Sequence, residues 1–294
     1  MNCFVLGSSV NSSFPYRLYE WRNDTIRPSR IISSGLSQPF GMFVVSTGEI
    51  YVNFGFDRVD KWKSKVNSYE SVAQFCSYCW SMFISLNDMI YCSMRHSIVI
   101  RSLDRNSNRI TMIAGTGVPG IEAHMLNVPQ GIFVDMNLDL YVADCWNHRV
   151  QLFRSGTIDG ITILTRSNLS PNFAPSSVVL DANQNIYIVD AAENCIFSGT
   201  LNHFKCIVGC REKDSSHDLF SFPRMAFDSF GNIYYADRRN SRVTKFLLSK
   251  DKCGKLLDSS NENKLSTTST STSIIGLFIQ SFTNEFSTVY SFSF

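Results

Sequence analysis

Two short sets of residues have the types and spacing that chemistry uses. Asp144, Asn147 and Arg149 fall within six residues, and Asp237, Asn240 and Arg242 repeat that spacing later in the chain. A carboxylate, an amide and a guanidinium held together can polarise a bond or move a proton. A set that recurs in two places argues instead for a repeated structural job. Asp and Asn close turns by accepting from nearby backbone N–H groups, and an Arg bridges strands by pairing with the carboxylate. Both sets are therefore assigned to turns and strand bridges, and no residue is assigned a catalytic role. A further series, Asp135, Asp181 and Asp228, is read as turn-closing as well.

The remaining chemical patterns are weaker. Residues 115–120, GTGVPG, fit the G-x-G-x-x-G fingerprint of a dinucleotide site. That site needs a helix N-terminus after the glycines to hold the pyrophosphate, and IEAHMLNVPQGIF offers none. Cys76 and Cys79 form a CxxC with no second pair at zinc-finger spacing. His96, His124, His148, His203 and His217 are scattered, with no two at ligand spacing. No serine elbow or P-loop is present. Cys206 and Cys210 flank Val208-Gly209, where a turn would bring their Cα atoms within the roughly 4.4–6.8 Å that a disulfide allows. They are expected to pair in an oxidising compartment.

The elements that carry these residues follow from an internal repeat. A hydrophobic-Tyr pair recurs at Tyr51, Tyr91, Tyr141, Tyr187 and Tyr234. Twelve positions earlier stand Pro39, Cys79, Pro129 and Pro175, with Pro223 eleven before the last Tyr. Three positions after the Tyr come Asp144, Asp190 and Asp237. The clearest copy, Leu126 to Gly156, contains GIFVD, LYVAD and RVQLF separated by polar turns. Runs this short, rich in β-branched and aromatic residues, read as strands and leave no room for a helix. A fourth run follows as ITMIAG at 110–115, ITILT at 161–165 and FKCIVG at 204–209. Four strands every 40–50 residues is the pattern of a propeller blade.

PQGIFVD, LYVAD and NHRVQLF together resemble the NHL repeat, with weaker copies at 39–62, 79–101, 175–197 and 223–246. The resemblance extends over about residues 36–250 and implies an all-β, six-bladed β-propeller. Residues 36–257 are assigned to its blades and residues 1–35 to a partial first blade. In that blade CFVLGS, YRLYEW and SRIISSG match the later strands, and the innermost strand is missing. Residues 258–273, which include LSTTSTSTS, read as a Ser/Thr-rich linker, and residues 274–294 as an apolar tail. Ile274–Ile279 is the length of an inner strand and is expected to complete the first blade.

Composition bounds the function. The 294 residues are 44% hydrophobic and carry a formal charge of +2, enough apolar material for a core and too little charge for a dominant phosphate-binding surface. Nucleic acid is therefore not an expected partner, and Arg101, Arg105 and Arg109 read as a solvated turn. The six-residue stretch at Ile274–Ile279 falls far short of the roughly 20 residues that cross a bilayer, so no transmembrane helix is expected. Nine cysteines, sequons at Asn11 and Asn23 as glycosylation candidates, and the Ser/Thr tract favour an extracellular or lumenal setting. No signal peptide is apparent at MNCFVLGSSV.

A rigid disc with variable loops suits recognition. The expectation is a non-enzymatic module binding a protein or glycan partner through loops on one face. The resemblance keeps two alternatives open. In lactonase-like and amidating-lyase-like propellers a metal on the central axis supports catalysis, so an axial divalent metal is the one cofactor considered. In tripartite-motif ubiquitin ligases an NHL propeller recognises substrate protein or RNA, and this chain lacks the RING that would accompany it.

Overall fold

The structure is a computed structural model. It describes the chain except for residues 1, 10–15, 23–28, 33–40, 46, 55–57, 64, 76, 105–108, 167–171, 202, 210–223, 228–230, 238–241, 247–271, 281–291 and 294. Strand is the dominant secondary structure among the described residues, and a short 3-10 helix spans Cys145–Asn147. In chain order the strands are β1 (Asn2–Ser9), β2 (Tyr16–Arg22) and β3 (Arg30–Ile32), then β4 (Gly41–Val44), β5 (Ile50–Asn53), β6 (Arg58–Lys63) and β7 (Ser68–Gln74). Next come β8 (Ser81–Ile84), β9 (Met89–Ser93), β10 (Ser97–Ser102) and β11 (Ile110–Gly115), then β12 (Pro129–Val134), β13 (Leu140–Asp144), β14 (Arg149–Phe153) and β15 (Ile161–Thr165). The last groups are β16 (Pro175–Leu180), β17 (Ile186–Asp190), β18 (Cys195–Thr200) and β19 (His203–Val208), followed by β20 (Arg224–Phe227), β21 (Ile233–Asp237) and β22 (Arg242–Phe246). Two strands close the list, β23 (Thr272–Gln280) and β24 (Phe292–Ser293).

Each group forms an antiparallel sheet in which sequence neighbours are spatial neighbours. This is the architecture of a β-propeller. β23 lies beside β1, and β24 lies beside β4. The first strand of one sheet touches the first strand of the next, as β4 does β8, β8 does β12, β12 does β16 and β16 does β20. These inner strands surround the middle of the molecule.

The repeat positions explain the packing. Each Tyr of the series sits on the second strand of its sheet, facing Phe43, Phe83, Phe133, Val179 and Ala226 in register. Phe43 meets Phe83 edge-on with centroids 5.2 Å apart, and Phe83 meets Phe133 at 5.4 Å. Such edge-to-face pairs add to the burial of their rings. The sheets are thus joined by a row of aromatics, one from each of three inner strands. Three residues before each Tyr the hairpin needs a left-handed residue. Gly48, Asp88, Leu138, Gln184 and Gly231 stand there, with φ of 85°, 57°, 62°, 63° and 80°.

A disulfide joins Cys79 to Cys92, across the β8–β9 hairpin, with Cα atoms 5.4 Å apart. Cys79 is therefore not a thiolate for zinc, and its CxxC partner Cys76 lies outside the described residues. Residues 258–271 of the predicted linker and the sequons at Asn11 and Asn23 also lie outside them, while Thr272 and Ser273, expected to end the linker, open β23. No helix among the described residues is long and apolar enough to cross a membrane.

Candidate functional site

The inner strands bring polar residues to one end of the middle. Gln130, Ser176 and Arg224 each follow the proline of their copy, and all three are buried. Arg224 is the largest of the fully buried side chains, with 1% of its surface exposed. From the start of β20 its Nη1 donates to the carbonyl of Ser176 on β16. The same Nη1 lies 2.8 Å from where a β-carbon on Gly131 of β12 would stand. A side chain that touches the inner strands of the two preceding sheets must run across the middle. Glycine at position 131 leaves room for it. Burial pulls the Arg224 guanidinium below its ordinary range.

Cys145, at the start of the short 3-10 helix Cys145–Asn147, lies within electrostatic reach of Arg224, Asp144 and Asp190. Burial pushes its thiol up to about 12, so at neutral pH it is an inert thiol, not a nucleophile.

Asp144, Asn147 and Arg149 come together at the end of β13. Arg149 Nε donates to Asp144 at 2.8 Å, as does the Asn147 amide at 2.8 Å and the Asn127 N–H at 2.8 Å. The rest of the Arg149 fork donates to the carbonyls of Ile121, Glu122 and Met125 at 2.7, 3.0 and 2.8 Å. Asn147 also donates to Gly120, at 2.7 Å. The set ties the connection at residues 120–125, which holds the last glycine of GTGVPG, to the end of its sheet. Burial pushes the Asp144 carboxyl up, and these donors oppose the rise. On the later sheet Asp237 faces Arg242 in register between β21 and β22, while Asn240 lies outside the described residues.

Asp190 occupies the same place on β17, with a different partner. Its Oδ1 accepts from the N–H groups of Ala174 and Ala192, each at 3.0 Å. Where Arg149 and Arg242 stand eight residues after their Tyr, this copy has Cys195. Asp190 Oδ2 is buried with no hydrogen-bond partner among the described residues.

Two members of the turn series behave alike, and the third, Asp228, lies outside the described residues. Asp135 Oδ1 accepts from Asn137 and Asp139 at 2.8 and 2.9 Å, and Asp181 Oδ1 from Asn183 and Asn185 at 2.8 and 2.9 Å. Arg101 donates to the carbonyl of Gln74, while Arg105 lies outside the described residues. Cys206 is disulfide-bonded, and its expected partner Cys210 lies outside the described residues. Sequence reasoning missed the pair Cys79–Cys92. Its signal was Cys79 in the place of the repeat proline, with Cys92 directly after the repeat Tyr.

No three His, Cys, Asp or Glu among the described residues gather as ligands, and the polar centre that the inner strands form holds the cationic Arg224.

Comparison with known proteins places residues 126–153 in the NHL repeat family. No curated protein matches the sequence. Solved structures match by fold. A catalytically inactive variant of virginiamycin B lyase from Staphylococcus aureus, with quinupristin, superimposes with a TM-score of 0.53 at 10% identity, covering 75% of this chain and 69% of that one. A selenomethionine-substituted virginiamycin B lyase from the same organism gives 0.56 at 10% identity, covering 83% and 81%. A streptogramin B lyase gives 0.53 at 11% identity, covering 100% and 88%. These neighbours are enzymes, which corrects the expectation of a non-enzymatic module for a protein or glycan partner. That expectation rested on finding no catalytic set along the chain. A propeller gathers its centre from separate sheets, so residues such as Gly131, Ser176 and Arg224 meet although no local motif joins them.

Proposed function

We propose that this chain is a propeller enzyme of the lyase type, working at the end of the middle where Arg224 is held. The observation that carries this reading is a cation buried among the inner strands of three sheets. A lyase removes a proton from one atom and expels a leaving group from its neighbour without water, so negative charge develops on the departing atom. A preorganised donor in a site of low dielectric stabilises such charge far more than water does. The Arg224 guanidinium supplies that donor, and its bond to the Ser176 carbonyl fixes its direction. The likeness of fold to lyases, one of them crystallised with quinupristin, supports a substrate of that cyclic class.

In this reading the propeller has six blades, closed by β23. The pairing of β23 with β1 supports it, as do the contacts of β23 with β20 on one side and β4 on the other. The Cys79–Cys92 disulfide supports a location outside the cytosol.

Incubation with quinupristin followed by liquid chromatography and mass spectrometry tests the activity. Ring opening by elimination leaves the mass unchanged and shifts the retention time, whereas hydrolysis adds one water. The expected result is a product of unchanged mass from the wild type, and none from Arg224→Met with a native circular dichroism spectrum. Intact quinupristin, or a product heavier by one water, overturns the reading.

A further inference from the structure

The repeat makes Asp190 the exception among three equivalent carboxylates. Asp144 has the guanidinium of Arg149, and Asp237 has Arg242 opposite it in register. Asp190 has Cys195 in that position, a buried free thiol. The carboxyl itself has 0% of its surface exposed. One oxygen is used, closing the chain around Ala174 and Ala192, and the other has no partner among the described residues.

Among the described residues, the groups that face Asp190 supply no replacement for the missing arginine. From its own turn and strand, Glu193 and Cys195 face Asp190, the first donating its N–H and contributing a repelling carboxylate. From the neighbouring sheet come Cys145, which is within reach of both Asp190 and Arg224, and His148, whose Nδ1 lies 2.7 Å from the carbonyl of Phe173, next to Ala174. An ionised carboxylate with one bare oxygen in this setting bears a desolvation cost that no adjacent cation offsets. A neutral carboxyl escapes the charge part of that cost and still accepts the bonds from Ala174 and Ala192.

We propose that Asp190 is a proton-operated latch: the folded protein holds it as the neutral acid, and its ionisation loosens the end of the sheet it ties to Ala174 and Ala192. Burial pushes the group above the ordinary carboxylate range, with the backbone donors opposing, which agrees with this assignment. The sign follows. A carboxyl whose pKa is higher folded than unfolded stabilises the fold fully below the unfolded pKa. That stability is lost as pH rises through the folded pKa. Between the unfolded and the folded pKa the folding equilibrium weakens by up to tenfold per pH unit, and above the folded pKa, where the group is ionised in both states, it levels off.

The test compares the wild type with Asp190→Asn, whose amide keeps the Oδ1 acceptor and cannot ionise. Denaturant unfolding is followed from pH 4 to pH 9. The ratio of the wild-type folding constant to that of the variant is expected to fall by at least tenfold across this range. Asp60 and Asp144, which burial also pushes up, are common to both proteins and cancel in the ratio. Difference infrared spectroscopy of the native proteins gives a second readout that does not depend on the variant's stability. At low pH the protonated-carboxyl band of the wild type should exceed that of Asp190→Asn, and the excess should disappear as pH rises. A flat ratio together with an unchanged band overturns the latch. Should Asp190→Asn fail to fold, Asp190→Ser, whose hydroxyl oxygen can accept and which does not ionise, replaces it in both comparisons, and the absence of any excess band in the wild type then overturns the proposal. This inference stands apart from the lyase reading, since neither readout involves substrate.

Discussion

The Nη1 of Arg224 fills the space that a side chain at position 131 would claim, 2.8 Å from the β-carbon that Gly131 lacks. The same β-carbon would stand 2.7 Å from the carbonyl oxygen of Ser176 and 2.7 Å from the Cα of Ser177. Gly131→Ala therefore overpacks the middle against backbone as well as against a side chain. Cores overfilled by a carbon typically lose about 1–3 kcal/mol. The expected outcome is a fall of that size in unfolding free energy by denaturant titration. Truncating Arg224 should not restore it, because the clash with Ser176 remains. A Gly131→Ala protein of wild-type stability would show that the inner strands yield at this point.

Arg149 is the cation on which a buried carboxylate depends. Its guanidinium answers Asp144 and three carbonyls, with only 10% of the side chain exposed against 0% for Asp144. Removing one partner of a buried pair leaves an uncompensated charge, which costs about 3–5 kcal/mol. Arg149→Met should lose stability in that range at neutral pH and recover part of it in acid. The reason for the recovery is that Asp144, already pushed up by burial, is then held more firmly in its neutral form. Asp144→Asn in the same chain should reduce the loss. A neutral-pH loss well below the range, with no pH dependence, would mean that water reaches the carboxylate.

Much of this organisation was legible in the sequence, and its limits have a physical cause. The Tyr spacing located the second strand of five sheets because each Tyr packs against the inner strand of its own hairpin, a contact short in sequence. Asp135 and Asp181 were legible as turn residues for the same reason: their donors lie two and four residues away. The pairing of Arg149 with Asp144 is five residues long, and the same spacing recurs at Asp237 and Arg242. Arg224 left no such trace. Its partners, the Ser176 carbonyl and the bare Cα of Gly131, are backbone groups of other sheets, which no side-chain motif records. Cys79 was masked differently, since it replaces a proline of the repeat and was read as a degraded copy rather than as half of a cross-link.

Leu138 carries a backbone conformation that two other copies of the repeat give to glycine. Its φ is 62°, where Gly48 and Gly231 have 85° and 80°. An L-residue pays about 1–2 kcal/mol for the left-handed region, and glycine escapes that steric cost while losing some chain entropy. Leu138 is 38% exposed, so its removal forfeits only part of a leucine's burial. Leu138→Gly should leave stability equal or up to about 1 kcal/mol higher, the reverse of the usual effect of glycine within a hairpin. Gly48→Leu, where no atom lies within 4 Å of the added β-carbon, should lose stability by strain alone. Thermal melts of the two variants check the pair, and a Leu138→Gly protein that melts well below the wild type contradicts the argument.

The edge of β1 is covered by β23, in a register that runs from Asn2 opposite Gln280 to Ser9 opposite Thr272, with a bulge at Leu6–Gly7. β24 covers β4 more briefly, through Phe292 and Ser293. A strand stripped of its neighbour presents a row of bare N–H and C=O groups to water and to other chains. Deleting residues 267–294 should therefore lower the melting temperature by several degrees, since each 1 kcal/mol corresponds to roughly 2–4 °C in a domain of somewhat smaller size. It should also promote association through the opened edge, visible by light scattering. Deleting residues 281–294 alone removes β24 and leaves β23 in place, so it should have the smaller effect. If the longer deletion melts with the full chain and stays monodisperse, β23 contributes nothing to the sheet that begins with β1, and the closure of the six-bladed ring by this strand is wrong.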